Sequence, residues 1–492
     1  MINQHVDLSP LDSYANVLQT ALTRFSENVM LRDDLGASVR YGDVAELAYT
    51  KAFRETKRRL VICEVNNDCS GIAGYLALVA AEAVPMMVSS ALTQSAVDTL
   101  ISAYKPEYLW LPQEQATRWP RSNWQACLGG YALIGLTNGT AEAELHVSLA
   151  LLLSTSGSTG SSKYVRLSHQ NVWTNAAAIA DYLSLTSDEL PITTLPPSYS
   201  YGLSIIHSHL LVGAGIAVCN KTFFDREFWN FFREVKATSL SGVPYHYEIL
   251  KKLRFTTMSL PHLRTLTQAG GRMNPDLAKE FAIYAKNNGM RFFIMYGQTE
   301  ASPRISYVPS ERAYEKAGTV GVPIPGGQLE LLSDSGVRAT ETESYGELVY
   351  RGPNVCLGYA ECRADLSAGD VNQGVLQTGD FAERDAEGYY KIVGRRNRFI
   401  KLFGNRISLE DIESLVAGIQ VDSACSGRDD ALELYLTPRN ATRAIEVKQV
   451  VMASFNFGAQ SITVYEVDDL PRNEYGKVQY AMLSSAIARR LA

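Results

Sequence analysis

Hydrophobic and polar positions along the first 400 residues predict strands that are separated by helices. The run "LVICEV" at 60–65 is apolar and rich in β-branched residues, as in a buried strand. The following stretch "SGIAGYLALVAAEA" at 70–83 repeats apolar residues at helical spacing, and the runs at 84–90 and 107–112 again have strand length. Strands joined by helices predict an α/β fold with a largely parallel sheet.

A change of pattern near residues 394–398 predicts a domain boundary. The strand-like run "GYYKIVG" ends there in a basic cluster. The residues beyond it have helix and strand patterns of their own, in "ISLEDIESLVAG" and "ALELYLTP". A stretch of about 95 residues is long enough for a small separate domain.

The segment 154–163, "STSGSTGSSK", is the first candidate for chemistry. It lies between the strand-like runs "LALLL" and "YVRLS", and a helical pattern begins only after the second run. A Walker A loop has four residues between its glycines and a helix after its lysine, whereas Gly157 and Gly160 are two residues apart and Lys163 precedes a strand. Glycine backbone, hydroxyls and a cation still suit a phosphate. A phosphate-binding loop and a flexible surface loop are both open interpretations.

Three further segments favour a nucleotide. In "MYGQTEAS" at 295–302 an aromatic ring at a strand end suits stacking on a flat base, and the carboxylate of Glu300 could hold Mg²⁺. Asp380 follows a glycine turn and suits a ribose diol, Arg395 ends a strand, and Lys477 lies on the glycine-containing turn of "LPRNEYGKVQY". Each has a structural alternative, since such residues are also common as packing or solvated surface groups.

In order and spacing these motifs resemble the adenylate-forming superfamily: acyl-CoA synthetases, adenylation domains of nonribosomal peptide synthetases, and luciferases. The resemblance extends from "YGDVAEL" at 41–47 to "GKVQY" at 476–480. It implies a large N-terminal domain of mixed, mostly parallel sheets flanked by helices, with a small β-barrel-like subdomain, and a small mobile α+β C-terminal domain. The N-terminal adenylation core would be residues 1–396, and the mobile cap would be residues 397–492.

The resemblance also implies roles for individual residues. Contacts to ATP are expected from Thr155, Ser156, Gly157, Ser158, Thr159, Gly160 and Lys163 at the phosphates, from Gly270, Gly271, Arg272, Tyr296 and Gly297 at the adenine, and from Asp380 and Arg395 at the ribose. The expected catalytic residues are Thr299, which binds phosphate, Glu300, which holds Mg²⁺, and Lys477, which reaches the reacting carboxylate. The acyl pocket is expected at Tyr199, Ser200, Tyr201, Gly202 and Ala269.

The chain departs from the family pattern at its expected hinge and in its phosphate loop. Asn397 takes the hinge position in "GRRNRFIK", where Asp or Lys is usual. Asparagine still adopts varied backbone angles, so a swinging cap remains the expectation. Ser162 replaces the usual proline before Lys163, which should leave the loop less restrained.

The segment "LPPSYSYGLSIIHSHL" at 195–210 bears on the acid that is activated. It contains no acidic residue to bind an amino group, which disfavours an α-amino acid. Tyr199, Tyr201, Leu203 and Ile205 favour an uncharged acyl or aryl tail, unless they simply pack the core. Four histidines are interpreted as packing or hydrogen-bonding residues: His169, His207, His209 and His246.

Composition and charge bear on the cellular location of the protein and on its binding partners. The formal net charge of −6 gives no reason to expect nucleic acid as a partner. The N-terminus lacks the basic and apolar regions of a signal peptide, and Glu82 and Pro85 interrupt the most apolar stretch, so no membrane span is expected. Seven scattered cysteines without a C-x-x-C pair predict reduced thiols in the cytoplasm.

These observations predict an AMP-forming ligase that converts a small carboxylic acid and ATP, with Mg²⁺, into an acyl adenylate and transfers the acyl group to a thiol. The thiol would belong to coenzyme A or to the phosphopantetheine arm of an acyl or peptidyl carrier protein. No carrier motif follows Lys477, so a stand-alone ligase is expected. Two alternatives stay open: a stand-alone amino-acid adenylation enzyme that loads a carrier protein, and a non-catalytic acyl or nucleotide sensor.

Overall fold

A computed structural model describes residues 14–136, 144–155, 163–333, 336–339, 344–402, 405–428, 431–455, 458–472, 478–485 and 489–490. The α-helices are α1 Tyr14–Arg24, α2 Tyr41–Tyr49, α3 Lys51–Arg54, α4 Cys69–Ala80, α5 Gln94–Tyr104, α6 Gln113–Ala116, α7 His169–Tyr182, α8 Ser200–Leu211, α9 Arg226–Glu234, α10 Pro244–Lys252, α11 Pro275–Asn287, α12 Leu409–Gly418 and α13 Ala441–Phe455. Short 3₁₀ helices are Arg121–Asn123, Phe255–Thr257, Thr299–Ala301, Ser310–Arg312, Arg363–Ser367, Arg396–Arg398, Ala459–Ser461 and Tyr480–Ser485.

The strands account for the remaining regular structure. They are β1 Val29–Asp33, β2 Ser38–Arg40, β3 Leu60–Glu64, β4 Val84–Val88, β5 Tyr108–Pro112, β6 Trp124–Leu128, β7 Tyr131–Gly135, β8 Leu149–Ser154, β9 Tyr164–Ser168, β10 Pro191–Thr193, β11 Ile216–Val218, β12 Ser239–Gly242, β13 Thr265–Gln268, β14 Arg291–Gly297, β15 Arg304–Val308, β16 Val322–Pro323, β17 Gln328–Leu332, β18 Ser344–Arg351, β19 Gly358–Ala360, β20 Val375–Arg384, β21 Tyr390–Arg395, β22 Phe399–Leu402, β23 Asn405–Ser408, β24 Asp422–Arg428, β25 Ala431–Thr437, β26 Ile462–Glu466 and β27 Arg489–Arg490.

The chain divides into two compact units. The first comprises Met1–Gln328 and Arg351–Leu376, and the second comprises Leu329–Tyr350 and Gln377–Ala492. The expected hinge, Asn397, lies within the second unit, in the 3₁₀ helix Arg396–Arg398. The domain boundary between residues 396 and 397 stays a prediction.

Two large sheets form the framework of the first unit. One has the order β16-β15-β14-β13-β12-β10-β11-β1-β2, and the other has the order β19-β9-β8-β4-β3-β5-β7-β6. Within the first sheet β10, β12, β13 and β14 pair in parallel, and within the second β3 pairs in parallel with both β4 and β5. The predicted α/β fold is therefore confirmed. The sheets are mixed: parallel pairs form the centre of each, and antiparallel pairs such as β14–β15 and β5–β7 lie toward the edges.

The apolar patterns that predicted these elements are explained by burial. Every residue of β3 and of β4 is buried, as expected for strands that are covered on both faces. Helix α4 is buried almost throughout, and its first turn is capped by Asp68, whose side chain accepts a 2.7 Å hydrogen bond from the Gly71 N–H. The largest core cluster takes residues from both sheets and from α1, α2, α4, α7 and α8, so helices fill the layer between the sheets.

The second unit is an α+β assembly. It contains a four-stranded sheet of order β17-β18-β20-β21. The resemblance places the expected β-barrel-like subdomain in the large N-terminal domain, whereas most of this sheet groups with the C-terminal residues. The second unit also contains the hairpin β22–β23 and a sheet of order β24-β25-β26-β27, with a core shared with α12 and α13. None of the helices among the described residues combines the length and hydropathy that a transmembrane segment needs.

Candidate functional site

The predicted nucleotide and acyl segments of the first unit meet at one edge of its first sheet. Strands β10, β12, β13 and β14 run in parallel, so their carboxyl ends lie at the same edge, where open α/β sheets bind ligands. Residues 195–199 follow β10, residues 269–272 follow β13, and the 3₁₀ helix Thr299–Ala301 follows β14. Pieces of chain that are about 100 residues apart in sequence are thereby brought together.

Tyr199 and Ser200 of the acyl segment lie next to the two nucleotide segments, at Gly270 and Thr299. Gly270 has a left-handed backbone with φ 84°, and a Cβ atom there would lie 2.3 Å from the Tyr199 hydroxyl oxygen. The Ser200 Oγ lies 3.2 Å from the Thr299 Oγ1, and both side chains are buried. Burial raises the pKa of Tyr199 to about 12, against the opposing charge of Arg304.

The turn after β14 is closed so tightly that it requires a glycine at its start. A Cβ atom on Gly297 would lie 1.9 Å from the carbonyl oxygen of Pro303, which no side chain can accommodate. The Gln298 N–H donates a 2.9 Å hydrogen bond to the same oxygen. The turn therefore fixes the direction of Thr299 and Glu300.

Asn354 holds this turn from outside the motif. The side-chain Nδ2 of Asn354 donates to the carbonyl oxygens of Ala301 at 2.6 Å and Arg304 at 2.8 Å. The backbone carbonyl oxygen of Asn354 accepts from the Ser302 hydroxyl at 2.8 Å. Its side chain is 1% exposed, so these bonds lie in a dry environment. Sequence reasoning missed Asn354, because only the tertiary fold places it against residues 301–304.

Glu300 is half-buried and is held by a second residue that sequence reasoning missed. The hydroxyl of Tyr359 donates a 2.8 Å hydrogen bond to the Glu300 Oε1. The Nζ of Lys163 lies 3.9 Å from the centroid of the Tyr359 ring, so this tyrosine contacts both the loop lysine and the acidic residue. Burial, and then the Glu300 charge, raise the pKa of the Tyr359 hydroxyl, which keeps it a hydrogen-bond donor.

The donor set around Glu300 fits a magnesium ion that arrives with a nucleotide. Among the described residues, no three His, Cys, Asp or Glu side chains cluster as a dedicated metal cage. Mg²⁺ is commonly held by one or two carboxylates together with substrate phosphates. A single carboxylate beside Thr299 therefore has the chemistry for such an ion.

The phosphate-loop candidate joins two strands, as predicted. Strands β8 and β9 are antiparallel, with Ser154 opposite Tyr164, and α7 begins only at His169. A Walker A loop is excluded by this context. Thr155 and Lys163 lie at the two ends of the loop, and the remaining candidates lie outside the described residues: Ser156, Gly157, Ser158, Thr159 and Gly160.

The second unit contains the two residues that were expected at the ribose. Asp380 on β20 is the register partner of Arg395 on β21, and the Arg395 Nε lies 3.0 Å from the Asp380 Oδ1. The Asp380 side chain is 5% exposed and that of Arg395 is 50% exposed, so one partner is fixed and the other reaches solvent. Lys477 lies outside the described residues.

The acyl segment forms helix α8, whose residues are all buried. Its aromatic and aliphatic candidates divide into two groups. Tyr201 and Ile205 join Tyr199 and Ala269 in one apolar cluster, whereas Leu203 packs in the large core between the sheets. Gly202 is packed against the chain, because a Cβ atom there would lie 2.5 Å from the Pro196 carbonyl oxygen.

The residues expected at the adenine differ in their exposure to solvent. Gly270, Gly271 and Arg272 are exposed at the carboxyl end of β13, where the carbonyl oxygen of Gly271 accepts a 2.9 Å hydrogen bond from the Gln268 Nε2. Tyr296 is half-buried on β14, opposite Ser306 of β15. Exposed backbone at residues 270–272 and the half-buried ring of Tyr296 thus lie at the same edge of the sheet, which suits the binding of a flat base.

Comparison with known proteins gives a family and several curated relatives. The family model for AMP-binding enzymes matches residues 52–360. A feruloyl-CoA synthase from an Amycolatopsis species is 30% identical over 279 residues, which are 56% of this chain and 56% of that protein. An indoleacetate–CoA ligase from Aromatoleum aromaticum is 27% identical over 353 residues, which are 69% of this chain and 68% of that protein. The chain thus spans little more than half the length of the first of these relatives.

Solved structures show that the fold is shared over nearly the whole chain. An O-succinylbenzoate coenzyme A synthetase from Bacillus subtilis in complex with AMP has a TM-score of 0.76 at 20% identity, covering 97% of this chain and 99% of that one. A benzoate CoA ligase from Burkholderia xenovorans LB400 has a TM-score of 0.73 at 19% identity, covering 96% and 100%. Since the family model matches more than half of the sequence, the chain belongs to the AMP-binding enzymes, the adenylate-forming superfamily that its motifs resemble.

Proposed function

We propose that the protein is an ATP-dependent acid–thiol ligase, which forms an acyl adenylate and then an acyl thioester. The observation that supports this most directly is the meeting of Tyr199 and Ser200 with Gly270 and Thr299 at the carboxyl edge of the parallel strands. An acid bound along α8 would present its carboxylate to a nucleotide bound along β13 and β14. The names of the relatives, which are CoA synthases and ligases, agree with this activity.

In the first step an oxygen of the substrate carboxylate attacks the α-phosphorus of ATP. A new oxygen–phosphorus bond forms, the bond from that phosphorus to the β-phosphate oxygen breaks, and pyrophosphate leaves with the electron pair. Mg²⁺ supplies charge neutralisation for the phosphates. The Thr299 hydroxyl would donate to a phosphate oxygen, and the Glu300 carboxylate, which Tyr359 orients, would hold the ion. No side chain needs to act as a nucleophile.

In the second step the thiol sulfur attacks the acyl carbon of the adenylate. The carbon–oxygen bond breaks, AMP leaves, and the thiol proton passes to solvent. Coenzyme A is the proposed acceptor, because the names of the relatives refer to it. The phosphopantetheine arm of a carrier protein presents the same thiol chemistry and is tested alongside.

The remaining assignments stay proposals that rest on the resemblance. Asp380 and Arg395 are proposed to bind the ribose, and Lys477 is proposed to stabilise charge at the reacting carboxylate. We also place the reaction in the cytoplasm. All seven cysteines have free thiols, which suits a reducing compartment.

Acid-dependent exchange of labelled pyrophosphate into ATP tests the proposed activity. Purified full-length protein is incubated with Mg²⁺, ATP and a panel of aliphatic, aromatic and amino acids. One class of carboxylic acid is expected to raise the exchange rate at least about tenfold above the acid-free rate. Stimulation by amino acids alone would favour the carrier-loading alternative, and ATP binding without exchange for any acid would favour a sensor and contradict the proposal.

The acceptor is tested on the same preparation. Once an acid is found, mass spectrometry of a reaction with coenzyme A, and of a parallel reaction with a phosphopantetheinylated carrier protein, identifies the thioester. The expected product is the acyl-CoA. Formation of the carrier thioester alone would assign the acceptor to the carrier arm.

A further inference from the structure

A small cavity lies against α8, and residues of the proposed acyl site line it. The centre of a water-sized sphere can occupy about 20 Å³ of this cavity, so it has room for one water-sized group. Tyr201, Ile205 and Met295 line it, and the same three residues belong to the apolar cluster that contains Ala269 and Tyr199. The cavity therefore borders residues that are expected to bind the tail of the acid.

Arg304 brings an unused hydrogen-bond donor to this cavity. The residue is 3% exposed, its guanidinium carbon lies 4.4 Å from the centroid of the Tyr201 ring, and its Nη2 lies 3.4 Å from the Ser204 Oγ. Its Nε is buried and has no hydrogen-bond partner among the described residues. Since a buried N–H without an acceptor is costly, this donor invites a ligand atom.

The backbone of Arg304 is fixed, so the donor is preorganised. The Arg304 N–H donates to the Asn175 Oδ1 at 3.3 Å, and its carbonyl oxygen accepts from the Nδ2 atoms of Asn175 at 3.1 Å and Asn354 at 2.8 Å. Two buried amides thus hold the residue at the start of β15. A ligand that bonds to its side chain would meet a donor whose position is set in advance.

His209 brings an unused acceptor to the same cavity. Its Nδ1 lies 2.8 Å from the Ile205 carbonyl oxygen, and because a carbonyl only accepts, Nδ1 must carry the proton. Burial lowers the pKa of His209 to about 4, so the ring is neutral at pH 7 and Nε2 has a free lone pair. This Nε2 is buried and has no hydrogen-bond partner.

Several other polar groups of the lining already have partners. The hydroxyls of Ser204 and Ser208 donate to backbone carbonyl oxygens of α8 at 2.7 and 3.2 Å. The Glu189 carboxylate accepts from Thr238 at 2.6 Å and lies 3.2 Å from an Arg264 nitrogen. Among the described residues of the lining, the buried side-chain atoms without a hydrogen-bond partner are the Arg304 Nε and the His209 Nε2. One donor and one acceptor thus face a space that fits one oxygen atom.

We propose that the acid substrate has a hydroxyl group at the far end of its tail, which accepts from the Arg304 Nε–H and donates to the His209 Nε2. This inference rests on the proposed ligase activity. An alkyl end would leave both protein atoms unpaired. A carboxylate end would accept from the Arg304 Nε–H, but it has no hydrogen to donate to the His209 Nε2. A hydroxyl is the simplest group that both accepts and donates.

Pyrophosphate exchange with matched acids tests the proposal on the wild-type protein. The pairs are benzoate and para-hydroxybenzoate, cinnamate and para-hydroxycinnamate, and hexanoate and omega-hydroxyhexanoate, with adipate as the dicarboxylate. In at least one pair the hydroxylated acid is expected to have a kcat/KM about tenfold or more above its parent. Equal rates within every pair, as a permanently bound water would produce, or a preference for adipate, would overturn the proposal.

Two variants on the same helix provide a matched test of the assignment. His209→Phe removes the proposed acceptor, whereas His207→Phe removes a buried histidine whose Nε2 lies 3.0 Å from the Tyr75 hydroxyl and which does not line the cavity. The ratio of hydroxylated to parent acid is expected to fall toward one in His209→Phe and to persist in His207→Phe. A ratio that persists in His209→Phe would contradict the role of this residue.

The outcomes separate this proposal from the proposed function. If no acid stimulates exchange, the ligase assignment fails and the inference fails with it. If parent acids are activated but hydroxylated acids have no advantage, only the inference fails. Circular dichroism establishes whether each variant folds, and the wild-type ratio decides the proposal alone if they do not.

Discussion

The nucleotide edge is the carboxyl edge of the parallel strands, with residues 269–272 and 296–300. It belongs to the same unit as the cavity against α8, but the two are built differently. At the edge, the key groups lie on one short turn after β14, and Tyr359 and Asn354 satisfy their hydrogen bonds. In the cavity, Arg304 and His209 come from different elements, and each leaves one buried polar atom without a partner. The comparison indicates that the fold positions Glu300 for a ligand common to the family, whereas the cavity awaits a group that only a particular acid supplies. The edge also has one buried donor without a partner in the described part of the chain, the Gln298 Nε2 on the same turn.

The largest expected effect is at Glu300. Glu300→Gln keeps the shape of the side chain but removes the charge that would hold Mg²⁺, so kcat for pyrophosphate exchange is expected to fall about a hundred- to a thousandfold. Exchange rates across a range of Mg²⁺ concentrations provide the measurement. An unchanged kcat at saturating Mg²⁺ would show that Glu300 is not part of the reaction machinery.

Tyr359→Phe is the matched comparison for Glu300. It removes the hydroxyl that donates to Oε1 at 2.8 Å but retains the ring beneath Lys163 and leaves the carboxylate in place. Because the charge survives, the expected loss of kcat is below about tenfold. A loss as large as that of Glu300→Gln would mean that the orientation of the carboxylate matters as much as its charge.

The next effect concerns the stability of the edge. Asn354→Ala leaves the buried carbonyl oxygen of Ala301 without its amide donor and removes one of the two amide donors to the Arg304 carbonyl oxygen. The free energy of unfolding is expected to fall by about 2–4 kcal/mol. Urea unfolding at neutral pH measures it. Asn372→Ala is the control, because its Nδ2 donates to the Cys356 carbonyl oxygen at 3.0 Å and not to the turn. Equal losses in the two variants would deny Asn354 a special role.

Sequence reasoning reached the edge more completely than the cavity. The strand–loop–strand at 149–168 and the turn at 295–302 were predictable, because contiguous residues carry both the pattern and the chemistry. Tyr359 was not, because it meets Glu300 only through the pairing of β19 with β9. Arg304 was not, because the antiparallel return of β15 beside β14 determines where its side chain is buried.

The same limit applies to the domain organisation. The change of pattern near residue 396 is a local signal, and it indicates a boundary at that point. The grouping of residues 329–350 with residues 377–492 depends on β17 and β18 joining β20 and β21 in one sheet. Such pairing between distant segments leaves no periodic signal in the sequence.

A smaller effect is expected from the two buried histidines of α8. Burial lowers the pKa of His207 to about 3 and that of His209 to about 4, from an ordinary value of 6.5. Between these values the unfolded chain binds more protons than the folded chain, so stability falls as the pH falls below 6.5. Each histidine is expected to contribute a loss of about 2 kcal/mol between pH 6.5 and pH 5.

Urea unfolding of the wild type and His207→Phe at pH 7 and pH 5 measures this loss. The variant lacks one of the two groups, so its unfolding free energy is expected to depend less steeply on pH. Burial also lowers the pKa of His169 and of His246 to about 4, so these histidines add to the acid sensitivity that both proteins share. Identical pH dependence in the two proteins would show that His207 takes up its proton without unfolding.

The central claim is that the substrate carboxylate attacks the α-phosphorus of ATP. It is tested most directly with an activating acid whose carboxylate is labelled with ¹⁸O, followed by mass spectrometry of the nucleotide after transfer to the thiol. The account predicts AMP that contains one ¹⁸O atom, because the attacking oxygen stays on phosphorus when the thiol displaces it from carbon. Unlabelled nucleotide released as ADP, with ¹⁸O in inorganic phosphate, would contradict it.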